Sequence, residues 1–379
     1  MYKKGDIVFV QRIAPVYRNG VFQLLFNNFG VEIWNGKNIS SSIKEEDGEY
    51  LNPVNALKFS SNENHVWLII FWKLIRKNPS IIIHEFSISM PSLYIAFLYK
   101  FLFRKNLILF GHGFNRSKGF VPEINFSDKL RVRLMKFSNA VILYSTDRKT
   151  IISKYVNKSK LFVAQNTLNT PSLLKVYSNL EKSGLENVKR NLNIEKKFVF
   201  SFVGRLKEEK LLIDALDAIN ILPERIKKQC VFYVIGDGFE RENIESKIVE
   251  LKLEQIVIMK GAIYDDVITS SFLYCSDLLL IPGALGLSVN HALLFGCPII
   301  SYKQTLSGPF HGPESGYVVN GKTGFFSEPG VTDLSNNIIR SLDYFNSEKK
   351  KEIINYSHDE LVIENMLSGF ERAFKHCKK

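Results

Sequence analysis

The sequence predicts an α/β protein made of two doubly wound domains, each with a parallel sheet. Three observations carry that expectation. The 379 residues exceed what one hydrophobic core holds and suit two domains. Strand-like runs alternate with segments of helical period through both halves of the chain. Several of those runs are continuously apolar, as strands buried on both faces must be.

In the first half the strands fall at Asp6–Val10, Ser80–His84, Leu107–Phe110, Ala140–Tyr144 and Leu161–Ala164. Between them the spacing predicts helices near Phe22–Phe29, Asn62–Arg76, Pro91–Phe103, Ser127–Phe137 and Thr146–Tyr155. The polar stretch Asn35–Asn52 reads as a surface excursion. Asn166–Lys197 is polar and carries Pro171 and Gly184, and it reads as a connection with a short helix. The second half resumes with strands at Val199–Val203, Val231–Ile235, Ile256–Met259, Leu278–Ile281 and Pro298–Tyr302. The closing segment Glu360–His376 has helical spacing. The expected organisation is a first domain over 1–170, a connection over 171–197, and a second domain over 198–356. A last helix over 357–379 is expected to pack back on the first domain. Two such domains should face each other across a cleft, with ligand sites at the facing strand ends.

Composition narrows the function. Apolar residues make up 45% and charged residues 23%, the values of a soluble globular protein. The four cysteines show neither metal-ligand spacing nor a disulfide pattern, which fits a reducing cytoplasm. The N-terminal run is too short for a signal peptide. Residues 1–170 hold 24 Lys and Arg against 11 Asp and Glu, whereas the remainder is nearly neutral. Such asymmetry points to a polyanionic partner. No nucleic-acid-binding motif is present, so nucleic acid is not expected. The apolar runs Val66–Ile75 and Leu93–Phe103 lie beside the charges and are too short to span a bilayer. An anionic membrane surface, met peripherally, is the expected partner.

The chemistry concentrates after strand ends. Phe198–Lys210 (FVFSFVGRLKEEK) reads as a buried strand stopping at Gly204, followed by Arg205, Lys207 and Lys210 and then a helix. Backbone amides and cations therefore gather at the carboxyl end of the sheet, where a phosphate is favoured. Ile235-Gly236-Asp237-Gly238 is a second tight turn. In Leu278–Tyr302 a strand ends at Pro282, and a glycine loop leads to Ser288, a good N-cap. There Gly286 permits close backbone approach, and the amides of Leu287, Ser288 and Val289 would point at an anion. His112 follows the strand Leu107–Phe110 between two glycines, with Asn115 and Arg116 at the same mouth. His84 ends a strand beside Glu85.

Taken in order, FVGRLKEEK, VIGDG, SDLLLIPGALGLSVNHALLFGCPII and GYVVNGKTGFF resemble a glycosyltransferase of family 4, with the GT-B fold of two Rossmann-like domains. Weaker matches are QRIAPVYRNGVF, which contains Gly20, then GHGFNR and LFVAQNTL. The resemblance implies a retaining hexosyltransferase-type enzyme that moves a sugar from a nucleotide-diphosphate donor to a glycan acceptor. It implies no separate cofactor and no metal, and the sequence contains no Asp-X-Asp. Arg205 and Lys210 would then stabilise the departing diphosphate, and His112 would contact the donor sugar. The second domain would hold the nucleotide sugar. The basic first domain would meet a lipid-linked acceptor of cell-surface polysaccharide synthesis, at the cytoplasmic face of the membrane. The family pattern has two glutamates eight positions apart, where this chain has Gly283 and His291. His291 can still hydrogen-bond a ribose, with its charge changing between about pH 6 and 8. Glu314 is the candidate replacement carboxylate. A non-catalytic GT-B subunit that binds a partner or nucleotide without turnover is the alternative.

Overall fold

The computed structural model describes residues 3–37, 48–59, 66–115 and 119–378, which form two compact units. Unit 1 comprises Met1–Asn169 and Ile363–Lys379, and unit 2 comprises Thr170–Val362.

Unit 1 runs β1 (Ile7–Gln11), α1 (Asn19–Phe29), β2 (Val31–Asn35), β3 (Ala56–Lys58), β4 (Val66–Leu68), α2 (Phe71–Lys77) and β5 (Ile81–Glu85). It continues with α3 (Pro91–Phe103), β6 (Asn106–Gly111), α4 (Phe126–Phe137), β7 (Ala140–Leu143), α5 (Thr146–Ile152) and β8 (Leu161–Val163). Six strands pair in parallel in the order β2-β1-β5-β6-β7-β8. The chain steps one way from β1 to β2 and then the other way to β5. The carboxyl ends of β1 and β5 are therefore a topological switch point.

Both faces of this sheet are covered, which explains the apolar runs. Val8, Val10, Ile82, Leu107 and Leu109 face α2, α3 and α4. Phe9, Ile83, Ile108 and Phe110 face α1 and the last helix of the chain, Ile363–Cys377. Phe370 of that helix stacks 5.9 Å from Phe9 and 5.2 Å from Phe110. Gly369 lets it lie directly on β8, since a Cβ there would come 2.2 Å from the Val163 carbonyl oxygen.

Unit 1 departs from the sequence reading at β2, at β3 and over the helix expected at Asn62–Arg76. β2 was not expected, because Glu32 interrupts its apolar run. The strand is nonetheless buried throughout, and Lys77 Nζ lies 2.6 Å from the Glu32 carboxylate. Burial pushes that carboxyl up, but the ion pair with Lys77 outweighs it and holds the group below the usual range. The helix expected from Asn62 begins only at Phe71. Val66–Leu68 forms a strand antiparallel to β3, and residues 60–65 lie outside the described residues, as do 38–47 of the polar excursion.

Unit 2 contains α6 (Thr170–Ser183), α7 (Leu185–Asn191), β9 (Phe198–Val203), α8 (Leu212–Asn220), α9 (Glu224–Lys227), β10 (Cys230–Ile235), α10 (Arg241–Glu250) and β11 (Val257–Gly261). It continues with α11 (Asp266–Cys275), β12 (Leu278–Leu280), α12 (Ser288–Leu294), β13 (Ile299–Tyr302), β14 (Gly324–Ser327), α13 (Val331–Tyr344) and α14 (Ser347–Glu360), and α15 (Ile363–Cys377) then returns to unit 1. The strands are parallel in the order β11-β10-β9-β12-β13-β14, which places the switch point between β9 and β12. The stretch read as a connection folds as α6 and α7, which pack on α11 of unit 2. Gly184, at φ 77, breaks the helix between them, while Val188 joins Val199, Tyr233 and Phe272 in the core. β14 escaped the sequence reading because glycine opens it. Here a Cβ on Gly324 would sit 2.1 Å from the Ile299 carbonyl oxygen.

Candidate active site

In unit 2 the loops leaving β9 and β10 interlock through backbone. Gly204 N–H donates to Ile235 C=O at 3.0 Å, and Leu206 N–H donates to Asp237 C=O at 2.9 Å. A Cβ on Gly236 would lie 1.8 Å from the Gly204 carbonyl oxygen, and one on Gly238 would lie 2.2 Å from that of Leu206. These glycines are thus required by loop-on-loop packing, which sets the path of the chain between Gly204 and Lys210.

The glycine loop after β12 is fastened to the same segment. Gly283 N–H donates to Lys210 C=O at 2.9 Å, and Ala284 N–H donates to Glu209 C=O at 2.7 Å. In return Lys210 Nζ donates to Ala284 C=O. A Cβ on Gly283 would come 2.2 Å from the Glu209 carbonyl oxygen, so the position where the family carries a glutamate has no room for a side chain. Arg205 remains exposed at the end of β9, whereas Lys210 is half-buried against the loop.

α12 begins at Ser288 with Leu287 at the N-cap and no side-chain cap, in place of the expected Ser288 cap. The Val289 amide donates to Gly286 C=O at 3.0 Å, which withdraws it from the expected anion-facing set. Leu287 and Ser288 still stand at the helix start, where amides lack intrahelical acceptors. Space around Gly286 is open, with nothing within 4 Å of a notional Cβ.

His291 is buried in α12, and its Nε2 is 2.9 Å from Ser270 Oγ on α11. Burial lowers its pKa to about 4, so the expected change of charge between pH 6 and 8 does not apply to the folded protein. A residue that the sequence did not single out, His311, organises the loop instead. Its Nδ1 accepts from Leu285 N–H at 3.2 Å, and its Nε2–H donates to Tyr302 C=O at 2.9 Å. That pair of bonds fixes the neutral tautomer carrying its proton on Nε2. Glu314 is buried just beyond, after Gly312, whose amide donates to Leu285 C=O at 3.0 Å.

In unit 1 a cavity of about 610 Å³ opens at the carboxyl ends of β1, β5 and β6, at that sheet's switch point. His112 lines it, with its ring edge-on to Tyr144 at 4.7 Å, and Asn115 stands at the rim. Gly113, at φ 79, gives the chain its turn there, and a Cβ would strike Ile152. Arg116 lies outside the described residues. Gly20 sits at the start of α1, where a Cβ would come 2.7 Å from Asn169 Oδ1, so its smallness serves packing within unit 1.

The charged groups of this cavity were only partly legible. Arg12 holds Glu85 through both its backbone amide, at 2.9 Å, and its Nε, at 2.7 Å. Burial pushes the Glu85 carboxyl up, but Arg12 outweighs it and keeps the carboxyl below the usual range. Arg18 Nη2 donates to Tyr144 Oη at 2.7 Å, and its guanidinium lies 5.5 Å from the Phe110 ring centroid. Burial raises the Tyr144 phenol to about 12, against the pull of Arg18. His84 lies beneath, wholly buried. Its Nδ1–H donates to Glu85 C=O at 2.7 Å, and its Nε2 pairs with Ser92 at 3.1 Å. It supports the site from below and does not line the cavity. The available signal was the cation spacing in QRIAPVYR, directly after β1.

Among the described residues no three His, Cys, Asp or Glu side chains gather as a metal-ligating group, and no helix is long and apolar enough to cross a membrane.

This arrangement of paired switch points, glycine loops and cations can be set beside known proteins. Residues 185–359 match the family model for glycosyl transferases group 1. The matched residues span most of unit 2. An uncharacterized glycosyltransferase of Methanocaldococcus jannaschii is 24% identical over 282 residues, covering 73% of this chain and 68% of its own length. A 2-deoxystreptamine glucosyltransferase of Streptomyces kanamyceticus is 32% identical over 107 residues, 27% of each protein. A crystal structure of HepE from Anabaena in complex with UDP superposes with a TM-score of 0.71 at 16% identity, covering 97% of this chain and 99% of that one. WaaG, a glycosyltransferase involved in lipopolysaccharide biosynthesis, gives a TM-score of 0.67 at 12% identity, covering 96% and 98%. The fold is therefore GT-B, and the chain is a glycosyltransferase.

Proposed function

We propose that this glycosyltransferase takes a nucleoside-diphosphate sugar and passes the sugar, with retention, to a lipid-linked glycan of cell-surface polysaccharide synthesis. It does so without a bound metal, at the cytoplasmic face of the membrane. The observation that carries the reading is the fastening of the Glu209–Lys210 segment to the glycine loop at Gly283 and Ala284, with Arg205 exposed at the end of β9, at the switch point of unit 2. The bond from the anomeric carbon to the β-phosphate oxygen breaks, and the electron pair leaves with the diphosphate. Arg205 can take that charge through two parallel N–H bonds, and Lys210 as a point charge. An acceptor hydroxyl closes on the anomeric carbon and yields its proton to the departing phosphate. Because the loop holds Lys210 beforehand, little reorganisation of that cation is needed as charge develops. HepE was crystallised with UDP and with UDP-glucose, which makes UDP sugars the first donors to try.

Hydrolysis and transfer measured over a panel of nucleotide sugars test this reading. Arg205→Ala and Lys210→Ala should each lower turnover by ~10²-fold, and turnover should persist in EDTA. Metal-dependent turnover would overturn the metal-free mechanism. The alternative is a subunit that binds nucleotide without turnover. It is favoured by the absence of side-chain space at Gly283 and by His291 pairing with Ser270. Nucleotide binding by calorimetry, with no turnover on any donor, would decide for it.

A further inference from the structure

We infer that the outer face formed by α3 and α4 of unit 1 is the surface by which the protein docks on an anionic lipid bilayer. This rests on the lipid-linked acceptor proposed above and says which face meets the lipid.

α3 should turn a polar face to water, as surface helices do. It does not. Tyr94, Leu98, Phe101 and Leu102 recur at i, i+4, i+7 and i+8, and all four are exposed, Phe101 to 57% and Leu102 to 61%. The opposite face, with Leu93, Ala96 and Phe97, is the one that packs on the sheet. α4 lies alongside. Phe137, 61% exposed, meets Phe101 edge-on at 6.4 Å, and Phe126, 77% exposed, opens the helix. A single large apolar side chain in water is ordinary, whereas a contiguous group on two adjoining helices marks an interaction surface.

The charge on the same face selects the partner. Along α4, Lys129, Arg133 and Lys136 are exposed on the turns between Phe126 and Phe137. Residues 91–105 and 124–137 together hold seven Lys or Arg and one acidic residue, Asp128. Asp128 is buried and bound to Arg131 at 2.7 Å. Lys100 sits 4.5 Å from the Phe101 ring centroid, and burial together with nearby Lys160 lowers its pKa, as expected of crowded cations. Aromatic and aliphatic tips set among cations fit the headgroup boundary of an anionic bilayer, where each basic residue contributes about 1 kcal/mol. A protein partner would need a complementary acidic and apolar surface; a second copy of this chain would bring the same positive charge against it.

The face also adjoins the unit 1 cavity. Tyr94 Oη donates to Ile88 C=O at 2.8 Å, and Ile88 and Arg131 line the cavity. A headgroup at the bilayer surface would thus lie next to the Arg12, Arg18 and His112 cluster.

The test uses the full chain and sedimentation with vesicles of phosphatidylcholine, with and without phosphatidylglycerol. The parent should bind the anionic vesicles more tightly and detach as salt rises. Phe101→Ser with Leu102→Ser, and separately Arg133→Glu with Lys136→Glu, should each weaken that binding by ~10-fold or more. Melting temperature and nucleotide-sugar hydrolysis should stay at the parent values. Equal vesicle binding by parent and variants overturns the assignment of this face. So does a parent dimer that dissociates in the Phe101/Leu102 variant, which would make a second copy the occupant. Absence of nucleotide-sugar turnover in the parent would instead remove the transferase reading and leave the vesicle result standing on its own.

Discussion

Gly283 is where the structure makes its sharpest demand. Replacing it with Ala places a Cβ 2.2 Å from the Glu209 carbonyl oxygen, 2.4 Å from the Lys210 carbonyl carbon and 2.6 Å from the Lys210 carbonyl oxygen. All three are backbone atoms, so no side chain can rotate away. The glycine loop and the 208–210 turn must separate by about 1 Å to reach ordinary contact, and that strains the two hydrogen bonds from Gly283 and Ala284. Overpacking of this kind costs about 1–3 kcal/mol, and loss of either hydrogen bond adds about 1 kcal/mol. For a domain of this size that is roughly 3–12 °C in melting temperature. Turnover should fall further than stability does, since the shift moves Lys210 and the start of α12 relative to Arg205. Gly283→Glu restores the residue type of the family pattern, yet it should be worse than Gly283→Ala. Thermal melts with nucleotide-binding titrations on both variants check this. A Gly283→Ala protein with parental melting temperature and turnover, or a Gly283→Glu protein with raised turnover, would refute the reasoning.

Two other predictions concern unit 1 and pH. Arg18→Ala leaves the buried Tyr144 hydroxyl without its donor and removes a cation from the cavity. It should lower kcat/KM for transfer by ~10–100-fold, and Tyr144→Phe by less. Unchanged kcat/KM with a lower melting temperature would make Arg18 a packing residue alone. His84 and His291 each have a pKa lowered to about 4 by burial, so the unfolded chain binds their protons more readily than the folded one. Their contribution to stability is complete above about pH 6.5 and is lost as pH falls toward 4, on the order of 3 kcal/mol for each. Urea unfolding across that window should show stability rising with pH, with a smaller slope in His291→Gln. An unchanged slope would mean that His291 does not titrate this way.

The fold was readable where a strand is wholly apolar and bounded by turn residues, as at Val199–Val203 or Leu107–Phe110. It was not readable where one residue breaks the pattern for a tertiary reason. Glu32 is such a residue, because Lys77, 45 positions away, together with Asn52 and Trp34, makes a buried carboxylate tolerable in β2. Gly324 is another, present because the Ile299 backbone passes too close for a Cβ. At the site, Arg205 and Lys210 were legible because strand, glycine and cation are consecutive. Arg12, Arg18 and His311 were not, since their partners Glu85, Tyr144, Leu285 and Tyr302 come from other strands and loops. At His291 the family resemblance implied a ribose contact, and the fold sets its Nε2 against Ser270.

These particulars bear on how the unit 2 site can bind a donor. Gly283 has no room for a side chain, and His291 has Nε2 on Ser270, so neither family position offers a carboxylate to ribose hydroxyls or sugar. What the switch point does offer is positive charge, from Arg205 and Lys210, and helix-start amides at Leu287 and Ser288. On the proposed reading, affinity in such a site would come chiefly from the diphosphate, and recognition of the sugar would fall to groups at the next turn. Glu314 is the first carboxylate after the glycine loop, and the bonds of His311 and Gly312 to Leu285 fix its turn against the loop. On the reading proposed above, charge stabilisation of the leaving group would fall to the cations after β9, and discrimination of the sugar to the turn after β13. Changes around Glu314 should consequently alter which sugar is taken while leaving nucleotide affinity largely as it was.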